Sequence, residues 1–179
     1  ADALQPLAFE VLATALPLAA EPATQLRLVA LLSESCGPNG IAGGQALDME
    51  AERRQLDPAE LEHMFRLKTG RLLRASVLLA AHCSPRITGA QLHRLEGFPD
   101  ALGIAYQIRD DILDFTLPGQ DLNSDAVKAK ATYPGLFGLA RAQARTDQLL
   151  DIAIDAISDL GASAGALRWM ARYTMLRSE

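Results

Sequence analysis

Alanine and leucine dominate this chain, and that bias constrains its fold more than any other feature of the sequence. Together they supply 61 of the 179 residues, whereas valine, isoleucine and threonine supply only 20. Alanine and leucine favour helices, and β-branched residues favour strands. No segment sustains the alternation of apolar and polar residues that a half-buried strand shows. The sequence therefore predicts an all-α protein, long enough to bury a sizeable core as one domain.

Charge and cysteine content exclude several classes of function. The formal net charge is −5 and only three residues are lysine, so nucleic acid and anionic membrane surfaces are poor candidate partners. No apolar run approaches the roughly 18 residues of a membrane span, and we expect no secretory signal, since no basic stretch precedes an apolar one at residues 1–4. Cys36 and Cys83 are far apart and belong to no CxxC motif, so we expect a reduced, cytoplasmic protein.

Capping residues predict where one long helix begins. Residues 57–60 read Asp-Pro-Ala-Glu, which is an Asp N-cap with proline at the first helical position and glutamate at the third. We expect this helix to reach His82. Its apolar stripe is predicted at Leu61, Phe65, Leu72 and Leu79. An earlier helix, over residues 4–16, is apolar enough to be buried on most sides.

A second pair of capping residues lies further along the chain. Thr88 is followed three residues later by Gln91, which is the pattern of a capping box. Pro99 should kink or restart the helix that begins there, and Asp100 can cap the restart. The helix should then continue through Phe115.

Residues 110–114 read Asp-Asp-Ile-Leu-Asp and are the best candidate for a chemical site. On a helix Asp110 and Asp114 lie on one face, and Asp111 is only about 100° around it, so three carboxylates meet at one surface. Clustered carboxylates repel each other unless a cation lies among them, and oxygen ligands completed by phosphates suit Mg²⁺. The alternative is a solvated acidic face. The apolar neighbours of this segment favour a buried helix whose carboxylates face a cavity.

Three lysines are candidates for binding phosphate. Lys68-Thr69-Gly70 is not a P-loop, because the GxxxxGK[ST] spacing is absent. A compact ammonium nevertheless suits a phosphate oxygen, and the adjacent hydroxyl adds a donor; the alternative is a surface lysine. Lys128 and Lys130 form either a mobile basic lid or a solvated loop.

Residues 43–48 read Gly-Gly-Gln-Ala-Leu-Asp and place an amide and a carboxylate beside two glycines. Each glycine weakens a helix by about 1 kcal/mol, which makes sense if another backbone packs close to it. Taken alone, Gln45 and Asp48 are best interpreted as partners in a buried structural hydrogen bond.

Four segments, in this order, resemble those of the trans-isoprenyl diphosphate synthases, most closely the bacterial farnesyl and geranylgeranyl diphosphate synthases. They are residues 43–48, residues 68–70, residues 106–114 (Tyr-Gln-Ile-Arg-Asp-Asp-Ile-Leu-Asp) and residues 130–134 (Lys-Ala-Thr-Tyr-Pro). The resemblance covers essentially the whole chain but only the C-terminal part of the family's fold. It implies that residues 1–179 are the C-terminal portion of one synthase domain, with the N-terminal helices missing.

The resemblance also implies an architecture and an activity. The fold would be an all-α bundle around a deep cavity, usually a homodimer, cytoplasmic and without an integral membrane segment. The reaction would join isopentenyl diphosphate to an allylic diphosphate, dimethylallyl or geranyl, and give farnesyl or geranylgeranyl diphosphate. Mg²⁺ would assist ionisation of the allylic C–O bond, and a dry apolar cavity would protect the carbocation.

Site residues follow from the resemblance position by position. Asp110 would be the main metal ligand, with Asp111 and Asp114 supporting the metal-bound waters. Lys68 and Lys130 would hold the allylic diphosphate, and Lys68 and Asp110 would be the catalytic residues.

The remaining assignments concern the carbocation. Thr69 and Gln107 would line the cation end, with Tyr106 where the family usually has phenylalanine. Gln45 and Asp48 would support the residues that touch the substrate.

The sequence also departs from the family pattern. The first aspartate-rich motif and the basic residues that grip isopentenyl diphosphate lie upstream of everything here. Arg109 replaces the usual glutamine, and Gln120 falls where a phosphate-binding lysine is common. We therefore expect this segment alone to be inactive. The alternative function is that of a non-catalytic helical homologue that dimerises with, or regulates, a true synthase.

Overall fold

Helices form all the regular secondary structure in the part of the chain that the computed structural model describes, which is residues 3–14, 21–51, 56–116 and 131–176. The α-helices are α1 (Leu4–Thr14), α2 (Pro22–Cys36), α3 (Ile41–Ala51), α4 (Pro58–Phe65), α5 (Arg71–His82), α6 (Gly89–Leu95), α7 (Gly97–Thr116), α8 (Tyr133–Phe137), α9 (Leu139–Ala156) and α10 (Gly165–Leu176). A π turn (Arg66–Gly70) joins α4 to α5, and a 3₁₀ segment (Ser158–Ala164) precedes α10. The predicted all-α class is confirmed.

Helix α7 is the central element of the bundle. It packs most extensively against α9 and also contacts the π turn, α5 and α8. Its apolar residues are buried, and Ala105 and Ile108 are completely inaccessible to solvent. Its first half is mostly buried, and most of its partly exposed and exposed residues lie in its C-terminal half. No helix among the described residues is long and apolar enough to cross a membrane.

The predicted helix start at residues 57–60 is confirmed by a complete capping box. The backbone N–H of Glu60 donates to Asp57 Oδ1 over 2.9 Å, and the backbone N–H of Asp57 donates to Glu60 Oε2 over 3.0 Å. The helical path continues through the π turn to His82, as expected.

The predicted apolar stripe of this long helix is only half right. Leu61 and Phe65 are buried, but Leu72 is 40% exposed. Ala75 and Leu78 occupy the core instead. The prediction assumed one uniform helical period, and a π turn changes the number of residues per turn where it occurs.

Two glycines let neighbouring helices approach the π turn from two sides. A Cβ on Gly44 of α3 would overlap the backbone nitrogen of Lys68. A Cβ on Gly103 of α7 would lie 2.5 Å from the Cα of Gly70. The close backbone approach expected at Gly43-Gly44 is therefore confirmed, and α3, the π turn and α7 are held in direct contact.

Helix α1 contradicts the expectation that it is buried. None of its residues is buried, and Leu4, Leu7 and Val11 are all exposed in this structure. Its main contact is with α2. An apolar composition predicts that a helix needs a covering surface, but it does not specify which part of the chain supplies that surface.

The capping box at Thr88 and Gln91 is confirmed, and the chain restarts as a new helix near Pro99, as predicted. The restart occurs at Gly97, so Pro99 lies in the first turn of α7, where its missing N–H leaves no helical hydrogen bond unmade. Asp100 also lies in that first turn and is not the cap. The capping role predicted for Asp100 is therefore wrong.

Helix α10 presents an aromatic pair to solvent. Trp169 is 65% exposed and Tyr173 is 60% exposed. Their rings stack with centroids 5.1 Å apart. This pair lies on the outer face of α10, on the opposite side of the helix from the buried Ala171 and Met175.

Candidate functional site

A cleft of about 400 Å³ lies where α3, α4, the π turn and the C-terminal half of α7 meet. Its walls carry four carboxylates and one lysine, together with apolar and amide groups. The lining residues are Asp48, Met64, Phe65, Lys68, Tyr106, Gln107, Asp110, Asp111, Asp114 and Ala131. Residues from all four segments singled out in the sequence therefore meet at one place.

Helix α7 presents its polar residues to the cleft because of their spacing. Tyr106, Asp110 and Asp114 are four residues apart and lie along one face. Ile108 and Ile112 point away from the cleft into the core, where they are 0% and 3% exposed. The prediction that these carboxylates face a cavity is confirmed.

Lys68 is held at the cleft by an ion pair with Asp48. The Lys68 Nζ lies 2.5 Å from Asp48 Oδ2, and each side chain is 33% exposed. The absence of a side chain on Gly44, one turn before Asp48, lets α3 come close enough for this pair to form. Gln45, by contrast, is exposed and is not among the residues that line the cleft.

Thr69 and Gln107 link the π turn to α7. The Thr69 hydroxyl donates a hydrogen bond to the side-chain oxygen of Gln107 in a half-buried position. The contact between Gly70 and Gly103 brings the two backbones together beside this bond. The lysine segment and the aspartate segment are therefore fixed relative to each other.

Asp111 differs from the other two aspartates because it is buried. It is only 5% exposed, and its Oδ2 accepts a hydrogen bond of 2.8 Å from the backbone N–H of Tyr133. The Thr132 side chain caps α8 by accepting from the backbone N–H of Gly135. Ala131, just before this start, lines the cleft. Lys130, predicted to bind the diphosphate, lies outside the described residues, as does Gln120.

A polar group behind Tyr133 was not predicted from the sequence. Arg145 binds Glu62 with two hydrogen bonds of 2.7 Å each, and the Tyr133 hydroxyl lies 3.5 Å from Glu62 Oε1. Burial raises the pKa of Tyr133, and the Glu62 charge raises it further. The hydrogen bond to Glu62 raises the pKa of Arg145. No sequence signal connects Glu62 with Arg145, because 83 positions separate them.

The donor set of the cleft fits a hard cation. Among the described residues no three His, Cys, Asp or Glu side chains form a group that could hold a metal ion by themselves. Mg²⁺ is usually bound through one or two carboxylates, with waters and phosphate oxygens completing its shell. The carboxylates of Asp110, Asp111 and Asp114 line the cleft together with Lys68, so oxygens of the kind that Mg²⁺ prefers are present there.

Arg109 does not line the cleft, although it directly precedes Asp110. The departure from the family pattern at this position therefore does not place a different side chain in the lining of the cleft. Met64 and Phe65 were not singled out as site residues, yet both line it and are 2% and 3% exposed. They supply an apolar wall next to Lys68.

Comparison with known sequences gives one consistent family. Residues 1–163 match the polyprenyl synthetase family. The farnesyl diphosphate synthase of Haemophilus influenzae is 35% identical over 164 residues, which are 89% of this chain and 55% of that protein. The farnesyl diphosphate synthase of Escherichia coli is 34% identical over 186 aligned residues, covering 99% of this chain and 62% of that protein.

Solved structures agree with the sequence matches. An FPP/GFPP synthase from Zymomonas mobilis superposes with a TM-score of 0.82 at 34% identity, over 97% of this chain and 58% of that one. A geranyltransferase from Helicobacter pylori, complexed with magnesium and isoprenyl diphosphate, gives a TM-score of 0.78 at 27% identity. The superposition covers 97% of this chain and 57% of that one. The chain spans little more than half the length of these relatives.

Proposed function

This chain belongs to the polyprenyl synthetase family, and from that premise we propose that the protein condenses isopentenyl diphosphate with an allylic diphosphate, dimethylallyl or geranyl, to give farnesyl or geranylgeranyl diphosphate. One observation carries the proposal. A single cleft brings Lys68 together with Gln107, Asp110 and Asp114. A diphosphate needs cations on its oxygens, and its prenyl chain needs an apolar wall, which Phe65 and its neighbours provide.

Asp110 is the proposed main ligand of Mg²⁺, with Asp111 and Asp114 supporting the waters around it. A bound Mg²⁺ supplies positive charge that stabilises the diphosphate as it leaves the allylic carbon. Asp110 is half-buried and Asp114 is exposed, so both can face an ion that enters from solvent. The Helicobacter pylori relative was solved with magnesium and isoprenyl diphosphate, which supports the proposal that this chain also takes both.

Lys68 is proposed to hold the allylic diphosphate, together with Lys130. In this structure Lys68 pairs with Asp48, and both side chains are one-third exposed. An ammonium in such a position can exchange one oxygen partner for another, because its charge is compact and its stem is flexible. Asp48 thus keeps Lys68 at the cleft until a phosphate oxygen replaces it.

The carbocation is proposed to form beside Tyr106, Thr69 and Gln107. The ring face of Tyr106 attracts positive charge. The hydrogen bond between Thr69 and Gln107 fixes their oxygens, whose partial negative charge favours a cation. The buried Met64 and Phe65 exclude water from the same wall.

Three further assignments stay predictions. These are the homodimer, the cytoplasmic location and the assignment of residues 1–179 to the C-terminal portion of one domain. The exposed aromatic pair Trp169 and Tyr173 on α10 supports the view that other surfaces cover this face.

The function is tested by incubating the full-length protein with isopentenyl diphosphate and dimethylallyl or geranyl diphosphate, with and without Mg²⁺. We expect Mg²⁺-dependent release of pyrophosphate and a prenyl product of 15 or 20 carbons, the lengths of farnesyl and geranylgeranyl chains. The Asp110→Asn variant should lose this activity while it retains its helix content. If the full-length protein binds pyrophosphate with Mg²⁺ yet shows no turnover, the non-catalytic homologue becomes the better account.

A further inference from the structure

We propose that Asp111 is a positioning residue, which fixes the start of α8 through the backbone N–H of Tyr133 and so sets the wall of the cleft at Ala131. This inference rests on the proposed function and refines it. It separates Asp111 from Asp110 and Asp114, which the sequence pattern treats as one group of metal ligands.

Burial separates the three carboxylates. Asp114 is exposed and Asp110 is half-buried, whereas Asp111 is 5% exposed. A buried carboxylate is costly unless hydrogen bonds satisfy it. The bond of 2.8 Å from the Tyr133 N–H to Asp111 Oδ2 is such a partner, and the charge on the acceptor strengthens it.

The same bond restricts what Asp111 can do for an ion. An oxygen that accepts the Tyr133 N–H is directed at the backbone of α8. A cation bound by both oxygens of Asp111 would compete with that N–H for the electron density of Oδ2. A buried backbone N–H left without a partner destabilises the local structure. Asp111 therefore stabilises the cleft by keeping this bond.

The start of α8 is fixed at two places, and Asp111 supplies one of them. The Tyr133 side chain is 2% exposed and packs edge-on against Phe137, with ring centroids 4.9 Å apart. Its hydroxyl faces Glu62, which Arg145 holds from α9. These contacts fix the ring, but only Asp111 among the described residues accepts the backbone N–H of Tyr133. Ala131, two residues earlier, lines the cleft and depends on that backbone position.

The test compares two substitutions at Asp111 with one at Asp110 in the full-length protein. Asp111→Asn removes the charge but keeps an oxygen that can accept the Tyr133 N–H. Asp111→Leu removes the acceptor at similar volume. Asp110→Asn is the matched control, since it removes a charge from the same cleft and leaves Asp111, the acceptor of the Tyr133 N–H, in place. Two quantities are measured: hydrogen exchange of the Tyr133 amide, and binding of inorganic pyrophosphate over a series of Mg²⁺ concentrations.

The positioning role predicts a specific pattern. Asp111→Asn should keep the Tyr133 amide protected and should raise the Mg²⁺ concentration needed for pyrophosphate binding by less than Asp110→Asn does. Asp111→Leu should speed exchange of that amide by about tenfold or more, the loss expected for a hydrogen bond to a charged group, and should weaken pyrophosphate binding at every Mg²⁺ concentration. Asp110→Asn should raise the Mg²⁺ requirement and leave the amide unchanged.

The opposite pattern would overturn the inference. If Asp111→Asn raises the Mg²⁺ requirement as much as Asp110→Asn does, while the Tyr133 amide stays protected, Asp111 acts on the ion. If Asp111→Leu leaves exchange of the amide unchanged, the bond does not fix α8. Failure of the wild-type protein to bind pyrophosphate with Mg²⁺ would contradict the proposed function instead, and the amide exchange would still decide whether Asp111 fixes α8.

Discussion

Gly103 of α7 faces Gly70 of the π turn so closely that a Cβ on Gly103 would lie 2.5 Å from the Gly70 Cα. The two backbones are in direct contact at this point, so an added side-chain atom can be accommodated only if the backbones move apart. The adjacent Thr69 and Gln107 owe their hydrogen bond to the same approach. The positions of Thr69 and Gln107 therefore depend on the packing of Gly70 against Gly103, although neither glycine has a side chain that could contact a ligand.

A methyl group at Gly103 tests this dependence. We expect Gly103→Ala to lower the free energy of unfolding by about 2 kcal/mol, because overpacking forces the backbones apart. It should also weaken Mg²⁺-dependent pyrophosphate binding, since Thr69 and Gln107 separate. Urea unfolding and calorimetry measure the two effects. Gly89→Ala is the control, because a Cβ there meets nothing within 4 Å. Wild-type stability in Gly103→Ala would contradict the close approach.

Lys68 should contribute to ligand binding and little to stability. Its ion pair with Asp48 is one-third exposed on each side, and such pairs stabilise a fold by less than about 1 kcal/mol. We expect Lys68→Ala to weaken pyrophosphate binding by about tenfold or more, as a charged hydrogen bond is lost. Calorimetry and urea unfolding check the two parts. Arg27→Ala, at an exposed position of α2, should change neither. Unchanged affinity in Lys68→Ala would rule out a phosphate contact.

The pair of Glu62 and Arg145 should matter for stability. Glu62 is 13% exposed and Arg145 is 28% exposed, with two hydrogen bonds of 2.7 Å between them. Arg145→Ala leaves the carboxylate without its charged partner, so we expect a loss of about 2 kcal/mol in the free energy of unfolding, below the value for fully buried pairs because both groups reach solvent. The double variant Glu62→Leu with Arg145→Leu should recover most of the unfolding free energy that Arg145→Ala loses, because it leaves no unpaired charge. Arg94→Ala breaks a more exposed pair and should have a smaller effect. Equal losses of unfolding free energy in Arg145→Ala and Arg94→Ala would contradict the prediction that the less exposed pair contributes more.

Asp100 should make stability depend on pH in the acidic range. Burial raises the pKa of its carboxyl above the ordinary 3.8, although Arg74, Arg71 and Arg66 each act to lower it. The folded state thus holds this proton more tightly than the unfolded state, and stability is lost as pH rises through the folded pKa. Asp100→Asn cannot ionise. The variant should therefore gain stability relative to the wild type between pH 4 and neutrality, with little change in that difference below pH 4. Urea unfolding across this range measures the difference in unfolding free energy between the variant and the wild type. If that difference shrinks as pH rises, the pKa of Asp100 is lowered in the folded state and not raised.

Local signals in the sequence predicted much of this structure. The capping residues at Asp57 and Glu60 act through their own neighbours, so their pattern is sufficient to place a helix start. The aspartates of α7 follow helical spacing, and their shared face was therefore predictable. The glycine pair before Asp48 indicated a close backbone approach, which the structure has at Lys68.

Features that depend on distant contacts were not predictable in the same way. The π turn shifts buried positions from Leu72 to Ala75 and Leu78, and no residue type specifies such a turn. The hydrogen bond from Tyr133 to Asp111 joins residues 22 positions apart. Spacing along a helix indicates which carboxylates share a face. It does not indicate which of them another segment will cover.

Trp169 on the outer face of α10 is an intrinsic fluorescence probe of that surface. Trp169 is the only tryptophan in the chain, and it stacks on Tyr173 at the surface, on a helix that does not line the cleft. Its emission therefore reports the polarity around α10, a surface that does not line the cleft. A shift of that emission to shorter wavelength signals that another surface has covered the helix, whether the covering part comes from the same polypeptide or from a second subunit.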